Sequence, residues 1–303
     1  MPLIYPSLWK PASVCYHVPE FFIVKPSVNA DLHCHSTVSD GLLSPAEVVA
    51  RAHANQVELL ALTDHDEMGG LAEARAAAAA VGLPFVNGAE LSVSWGDQSV
   101  HIVGLGLDTE NAELVAGLAQ VRSGRDGRAR RMAEALDRIG IHGVYEGALR
   151  YVGNPALVGR AHIARYLVEI RVARDVSNVF EHYLVRGKPG FVEHEWARLE
   201  DAVRWIHAAG GVAVIAHPGR TRLSKAELTR LFDTFKDLGG EAIEVVSGSQ
   251  AGESALEFAR VARRYGFLAS RGSDFHGPQE SMVDLGRAEI LAPDLTPVWS
   301  RLV

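Results

Sequence analysis

The chain has 303 residues, 48% of them apolar, which is enough for a packed core and excludes a disordered chain. No run approaches the ~20 apolar residues that span a bilayer, and the net charge of −7 argues against a protein that coats nucleic acid. The only cysteines are Cys15 and Cys34, a usage typical of the reducing cytoplasm.

Residues 1–28 differ from the rest of the chain. Five prolines interrupt short apolar pieces there, without a helical or a strand period. The basic start, long apolar stretch and cleavage site of a signal peptide are missing from this segment. We therefore expect a poorly ordered extension, with native translation beginning near Val28.

The following segment, 29–108, alternates between strands and helices. A helix is predicted over 45–55, with Ser44 as its N-cap, and an Ala-rich helix over 69–81, closed by Gly82. Strands are predicted over 30–35, 57–62, 84–86, 88–93 and 100–107. This alternation is typical of βα units and predicts a parallel sheet or barrel.

Residues 109–190 break the alternation, because they are rich in Ala, Leu and Arg and read as helices. The alternation then returns, with a helix over 199–209 and strands over 212–216, 242–246 and 267–271. We expect an α/β core formed by 29–108 and 191–303, with 109–190 as a helical insertion that forms a lid. Between Arg122 and Lys188, 13 Lys and Arg stand against 7 Asp and Glu, so the insertion is basic within an acidic protein.

Residue types that bind metals recur at the carboxyl ends of the predicted strands. His33 and His35 are two apart on one strand, so their side chains lie on the same face and can share an ion. A buried imidazole or carboxylate has a desolvation cost, which metal coordination can offset. The recurrence therefore predicts a site with several ions. The other members are Asp40, His65, Glu90, His101, His217, Asp274 and His276.

Five motifs make the chain resemble the PHP (polymerase and histidinol phosphatase) phosphoesterases. They are DLHCHS at 31–36, TDHD at 63–66, GAE at 88–90, AHP at 216–218 and GSDFH at 272–276. Further segments resemble a stand-alone bacterial subgroup that acts on 3′,5′-nucleotide bisphosphates and short 5′-phosphorylated oligonucleotides. They are HIVGLGLD at 101–108, GRAHIARYLV at 159–168, RGKPGFV at 186–192 and AHPGRTRLS at 216–224.

The resemblance implies a distorted (β/α)7 barrel with a helical insertion, and three metal positions. The first set of ligands is His33, His35, Glu90 and Asp274. The second set shares Glu90 as a bridge and adds His101 and His217. The third set is Asp40, His65 and His276. These nine residues would also be the catalytic residues.

The resemblance also implies hydrolysis of the 3′-phosphate of nucleotide bisphosphates, such as adenosine 3′,5′-bisphosphate, by hydroxide generated at the ions. We expect two or three divalent ions, manganese first, although iron and zinc also suit His and carboxylate ligands. Asp31 and Asp64 either orient the ligand imidazoles or cap backbone amides at the strand ends.

Basic side chains should hold the phosphate that does not react. The candidates are Arg160, Arg165 and Lys188 in the insertion, and Arg220 after the strand that ends before His217. For each of them, a salt bridge or a solvated role is an equally open interpretation. His162 could be a packing residue of its helix.

Several alternatives stay open. A 5′-3′ exoribonuclease on short 5′-phosphorylated oligonucleotides, or a phosphatase of the histidinol-phosphate type, would keep the metal centre and change the substrate. Zinc amidohydrolases also begin with His-x-His, but a lysine commonly bridges their ions where Glu90 stands here. A non-catalytic binding module is disfavoured because every ligand position is present. The expected partner is a nucleotide or short oligonucleotide, neither duplex nucleic acid nor a membrane.

Overall fold

The computed structural model describes residues 28–302, so residues 1–27 of the predicted extension lie outside it. Eight strands belong to one sheet of the described chain. They are β1 (Ala30–Asp31), β2 (Leu59–Leu62), β3 (Phe85–Trp95), β4 (Gln98–Leu105), β5 (Ala197–Arg198), β6 (Val212–Ile215), β7 (Ala242–Val246) and β8 (Leu268–Arg271).

Seven of these strands form a nearly closed barrel, in the order β1-β2-β3-β4-β6-β7-β8. The ends of this order meet, because Leu32 N–H donates to the Arg271 carbonyl at 3.1 Å and Asp274 N–H to the His33 carbonyl at 2.8 Å. Strand β4 runs antiparallel to both of its neighbours. A tight turn at Gly96, where φ is +58°, joins β3 directly to β4 without a crossover helix. The predicted distorted barrel is confirmed.

The helices cover the barrel and form the insertion. They are α1 (Pro45–Ala54), α2 (Leu71–Val81), α3 (Ala112–Ser123), α4 (Arg125–Asp137), α5 (Val144–Leu149), α6 (Arg160–Glu169), α7 (Val176–Val179), α8 (Leu199–Ala208), α9 (Lys225–Asp237) and α10 (Glu253–Tyr265). In the described part of the chain, none of them is long and apolar enough to cross a membrane.

The first two helices have the predicted capping residues, although α1 ends at Ala54 and α2 begins at Leu71. The Ser44 hydroxyl accepts the Glu47 N–H at 3.3 Å, and the Glu47 carboxylate accepts the Ser44 N–H at 2.8 Å, which satisfies free donors of α1. Helix α2 ends at Gly82, whose φ of +67° is left-handed and therefore favours glycine.

Several predicted strands have different bounds in the structure. Strand β1 ends at Asp31, and beyond it Cys34 forms only an isolated bridge to Phe275. The strands predicted over 84–86 and 88–93 are one strand, β3. At Gly88, within it, a Cβ would lie 2.7 Å from the Thr63 methyl carbon, so the missing side chain lets β2 and β3 pack closely.

Packing changes inside the predicted insertion. Leu114 and Leu118 of α3 belong to the barrel core, whereas Met132, Leu136 and Ile163 belong to a separate buried cluster formed by α4, α5, α6 and the segments after them. A separate core is what an insertion needs to hold its own shape. The domain bounds at 109 and 190 stay a prediction, and the described packing changes at α4.

Candidate metal centre

The polar residues predicted at the strand ends meet at one end of the barrel. His33 and His35 follow β1, while Asp274 and His276 follow β8, which lies beside it. Glu90 of β3 is completely buried in their midst. All nine predicted ligands take part in clusters whose donor atoms lie within 4.8 Å of one another.

The first predicted set has the spacing of ligands around one ion. Nε2 of His33 lies 3.3 Å from Oε1 of Glu90 and 3.6 Å from Oδ1 of Asp274. Nε2 of His35 lies 3.4 Å from Oε2 of Glu90 and 3.3 Å from Oδ1 of Asp274. Ligand atoms at about 2.1 Å from a tetrahedral ion are about 3.4 Å apart. Both histidines therefore lie near both carboxylates, while the clusters of donor atoms group His33 and His35 with Glu90, and Asp274 with His33 and His217.

Glu90 also reaches the second predicted set. Its Oε1 lies 2.8 Å from Nδ1 of His101 and 2.9 Å from Nε2 of His217. Burial alone would raise the pKa of the Glu90 carboxyl, but the imidazoles of His101, His65 and His33 hold that pKa well below its usual range. Glu90 is therefore a carboxylate at neutral pH and is placed to bridge two ions.

The third predicted set is less tightly spaced. Oδ2 of Asp40 lies 3.8 Å from Nε2 of His65, and its Oδ1 lies 3.4 Å from Nε2 of His276. His65 also faces the bridge, with Nδ1 2.8 Å from Oε2 of Glu90. His35 completes the donor cluster around Asp40. His35 and His65 therefore each lie close both to Glu90, which belongs to the first two sets, and to Asp40 of the third set.

The imidazoles of the cluster differ in charge. Burial, and then the positive charges of His276 and His65, lower the pKa of His35 to about 3. Burial lowers the pKa of His101 to about 4. For His276, burial is outweighed by Asp40, which raises its pKa to about 9. Neutral rings have a lone pair for a cation, and protonated rings neutralise the carboxylates.

Several donor atoms at the centre of the cluster have no hydrogen bond. In the described chain these buried atoms include Nε2 of His33, Nε2 of His35 and Oε2 of Glu90. A buried polar atom without a partner costs about 1–3 kcal/mol. Cations between these atoms would offset that cost, so the residues present fit divalent metal ions.

A cavity of about 1250 Å³ opens over the cluster and extends to the insertion. His65 and His101 line it on the barrel side, while Arg128, Arg160 and Trp196 line the opposite wall. The cavity therefore joins the metal-ligand cluster to a basic and aromatic surface.

The basic wall contains guanidinium groups that lie close together. The guanidinium carbons of Arg125 and Arg128 lie 4.8 Å and 5.1 Å from the ring centre of Trp196. Burial, and then the charges of Arg160 and Arg125, lower the pKa of Arg128 to about 9. Crowded positive charge of this kind favours an anionic ligand.

Comparisons with known proteins agree with this geometry. A model of the PHP domain matches residues 31–211. The chain belongs to the PHP domain family. It is 52% identical to a 3′,5′-nucleoside bisphosphate phosphatase of Chromobacterium violaceum, over 90% of this chain and 96% of that protein. It is 40% identical to a 5′-3′ exoribonuclease of Haemophilus influenzae, over 89% of this chain and 98% of that protein.

A solved structure shares the fold of this PHP chain. It is described as an amidohydrolase from Chromobacterium violaceum with bound sulfate and no metal, and it superposes with a TM-score of 0.88 at 52% identity. The match covers 90% of this chain and 95% of that one. The predicted family and its barrel are therefore confirmed.

The four predicted phosphate-binding residues of the PHP chain have different places. Arg160 and Arg220 line the cavity, and Arg220 contacts the Asp274 carboxylate. Arg165 lies behind the wall, in an ion pair with Glu280. Lys188 is exposed and is not among the lining residues. Arg165 and Arg220 thus both form ion pairs and Lys188 is exposed, while phosphate binding by any of the four stays a prediction.

Asp31 and Asp64 cap groups near the strand ends and do not orient ligand imidazoles. Asp31 accepts the backbone N–H groups of Ser273 at 2.8 Å and Gly286 at 2.7 Å. Asp64 accepts the Ser36 N–H at 2.8 Å, together with two serine hydroxyls. Of the two roles predicted for Asp31 and Asp64, the structure shows the cap.

Glu244 of β7 contacts two of the predicted ligands instead, and the sequence reasoning missed it. Its Oε1 lies 2.6 Å from Nδ1 of His33, and its Oε2 accepts the His217 N–H at 2.6 Å. A carboxylate behind a ligand imidazole fixes the orientation of the ring. The signal was present, since Glu244 is the one charged residue of the strand AIEVV.

Proposed function

We propose that this PHP protein is a metal-dependent phosphoesterase that hydrolyses the 3′-phosphate of 3′,5′-nucleotide bisphosphates, for example adenosine 3′,5′-bisphosphate to AMP and phosphate. One observation carries the proposal: a single cavity joins the metal-ligand cluster to a wall of guanidinium groups. A ligand with two separate phosphates uses both ends of such a cavity. The activity named for the 52% identical relative from Chromobacterium violaceum supports the same substrate.

In this proposal the three predicted sets hold divalent ions, and Glu90 bridges the first two. When bound, such ions supply an activated water and withdraw charge from the phosphoryl oxygens. We propose manganese, because carboxylate donors suit it and sulfur ligands are not needed; the imidazole donors would suit iron or zinc as well. The buried Cys34 thiol donates to the Ala61 carbonyl and stays outside the sets.

The protein's own side chains position the reacting phosphate. Glu90 keeps two sets at a fixed separation, because its two oxygens face different imidazoles. Arg220 lines the cavity beside Asp274, so its guanidinium can hold a phosphoryl oxygen next to the ions. Orientation of this kind lowers the barrier without a covalent intermediate on a side chain.

Arg160 and Arg128 bind the phosphate that does not react. In the described part of the chain neither has an ion pair with a carboxylate, whereas Arg125 is paired with Asp66. Two guanidiniums without an ion pair in a half-buried wall offer several donors to a phosphate dianion. We therefore keep Arg160 and Arg220 from the sequence prediction and replace Arg165 and Lys188 by Arg128.

A 5′-3′ exoribonuclease acting on short 5′-phosphorylated oligonucleotides is the second candidate. The cavity of about 1250 Å³ is also lined by Gly96, Asp97 and Gln98 of the β3–β4 turn. That volume leaves room for more than one nucleotide. The Haemophilus influenzae relative at 40% identity is named for this activity.

Cleavage of a C–N bond is less well supported. Zinc amidohydrolases commonly use a lysine to bridge their two ions, but among the described residues no lysine lines the cavity. In this proposal the carboxylate of Glu90 is the bridging ligand. A nucleotide partner also fits the arginine wall better than a neutral amide would.

The low cysteine usage favours action in the cytoplasm.

The test is phosphate release from adenosine 3′,5′-bisphosphate with Mn²⁺, with the product identified, for wild type, His33→Ala and Arg160→Ala. We expect AMP and phosphate from wild type, loss of activity in His33→Ala, and a raised KM in Arg160→Ala. Arg174→Ala is the matched control, because this arginine of the insertion has an 81% exposed side chain away from the cavity. Turnover of oligonucleotides or monophosphates alone would overturn the bisphosphate assignment.

A further inference from the structure

Helix α6 of the insertion contacts the loop that carries Asp40. Nε2 of His162 lies 3.1 Å from the Ser39 carbonyl oxygen, and its Nδ1 accepts the Gly159 N–H at 3.1 Å. Because Nδ1 is the acceptor, Nε2 carries the proton and donates to Ser39. Burial lowers the pKa of His162 to about 4, so at neutral pH the ring stays in this one tautomer.

Arg165 follows His162 by three residues on α6 and joins the same loop to a second one. Its Nη2 donates to the Asp40 carbonyl. Its Nε and Nη2 donate to the two carboxylate oxygens of Glu280, both at 2.7 Å. The side chains of this pair are only 5% and 17% exposed, so the bidentate contact is poorly screened by water.

The loop of Glu280 also holds the other end of the third set. The hydroxyl of Ser281 accepts the His276 N–H at 2.7 Å. Oδ1 of Asp40 and Nε2 of His276 lie 3.4 Å apart. The two ligands therefore stand on two loops that the pair of Arg165 and Glu280 ties together.

The barrel fixes the opposite side of the Asp40 loop without help from the insertion. Asp64 accepts the hydroxyls of Ser36 at 2.7 Å and Ser39 at 2.6 Å. At Gly41 a Cβ would lie 2.5 Å from the His35 carbonyl oxygen, so the loop is closely packed there. The contacts of α6 fall on the carbonyls of Ser39 and Asp40, directly beside the ligand carboxylate.

We propose that His162 and Arg165 are positioning residues that set Asp40 and His276, so that metal binding by the third set depends on the docking of α6. The same helix begins with Arg160, which lines the cavity. Helix α6 would thus carry both the residue that contacts the substrate's second phosphate, Arg160, and the residues that set the third metal position. This inference rests on the proposed function, because it uses the metal sets and the phosphate contact proposed there.

The test counts bound Mn²⁺ by mass spectrometry after equilibrium dialysis, with kcat and KM measured on the same samples. Asp40→Asn serves as the reference for a lost third ion. We expect Arg165→Met and Glu280→Gln to bind the third ion about 10- to 100-fold more weakly than wild type. Their kcat should fall while KM for the bisphosphate stays near the wild-type value. Arg165→Lys should recover part of the loss, because it retains the charge and one donor.

The matched control is Arg150→Met, which removes an ion pair of 3.0 Å with Glu169 from the exposed surface of the same insertion. It should bind three ions and keep its activity. The inference would be overturned if Arg165→Met and Glu280→Gln bound the third ion as tightly as the wild-type chain does. It would also be overturned if the wild-type chain bound no more ions than Asp40→Asn. If Arg165→Met does not fold by circular dichroism, Glu280→Gln decides alone.

Failure of the proposed function would look different. The wild-type chain would then bind its ions yet release no phosphate from any nucleotide. The ion count of the variants would still decide whether α6 controls the third set, because that readout does not depend on turnover.

Discussion

The two walls of the cavity differ in how their charges are balanced. On the barrel side, the carboxylates of Asp40, Glu90 and Asp274 each lie within 4 Å of an imidazole nitrogen. On the insertion side, Arg128 and Arg160 have no carboxylate partner among the described residues. The carboxylates and neutral imidazoles of the barrel side can bind cations, and the guanidiniums of the insertion side can bind an anion. On this difference rests our proposal that the chemistry takes place on the barrel side and that the insertion recognises a second phosphate.

Glu90→Gln should have the largest effect, because it removes the charge that the barrel side is built around. We expect kcat/KM for the bisphosphate to fall about a thousandfold, since bound ions contribute several kcal/mol to phosphoryl transfer. Phosphate release and metal content measure this. Glu241→Gln is the matched control, because Glu241 also faces an imidazole, that of His207 at 3.1 Å, outside the cavity. An active Glu90→Gln enzyme with full metal content would contradict the bridging role.

Arg160→Ala tests the insertion side. Loss of a charge-assisted contact should raise KM for adenosine 3′,5′-bisphosphate about 10- to 100-fold. Adenosine 3′-monophosphate lacks the second phosphate, so its KM should hardly change in the variant. Steady-state kinetics with both substrates measure the difference. An equal loss for both substrates would mean that Arg160 acts at the reacting phosphate, and the division between the two walls would be wrong.

Glu244→Gln should have a smaller effect, because the shape is kept and only the charge behind His33 is lost. We expect about a tenfold loss in activity or metal affinity, the lower end for residues that orient a ligand. Titration with Mn²⁺ and phosphate release measure it. An unchanged titration curve would show that the short contact of 2.6 Å between Glu244 and His33 does not tune the ligand.

Trp196→Leu should have the smallest effect. Trp196 packs against the buried residues Arg125 and Arg128 and is not itself proposed to bind substrate or metal, and a cation–π contact contributes from about 0.5 kcal/mol when exposed to about 2 kcal/mol when desolvated. We expect KM for the bisphosphate to rise a few fold, at unchanged kcat, in steady-state assays. A fall in kcat instead would link this aromatic surface to the barrel side of the cavity.

Much of the barrel and of its donor cluster could be predicted from local pattern. The strand predicted over 242–246 coincides with β7, and the caps of α1 and α2 are those predicted. The antiparallel direction of β4 was missed, although the two residues between β3 and β4, Gly96 and Asp97, are of a type that favours a β-hairpin. The helices α9 and α10 were not singled out by the analysis of the sequence.

The arginines show where prediction from sequence fails. Arg165 and Arg160 both lie in the segment predicted to be helical, and both are basic residues of a basic segment. Only the docking of α6 decides that Arg165 meets Glu280 while Arg160 meets the cavity. Arg128 was missed for the same reason. A charged residue on a helix is usually solvated, and the residue that Arg128 packs against, Trp196, is distant in the sequence.

The sequence by itself determined the family and the barrel, and it predicted the nine side chains that the structure brings together in the donor cluster. It could do so because strand period and helix caps act over a few residues, and because buried imidazoles and carboxylates have a high desolvation cost unless a cation offsets it. The tertiary structure alone decided which residues support those ligands. Glu244 reaches His33, and α6 reaches the Asp40 loop, through contacts between distant parts of the chain, and such contacts depend on how whole elements pack.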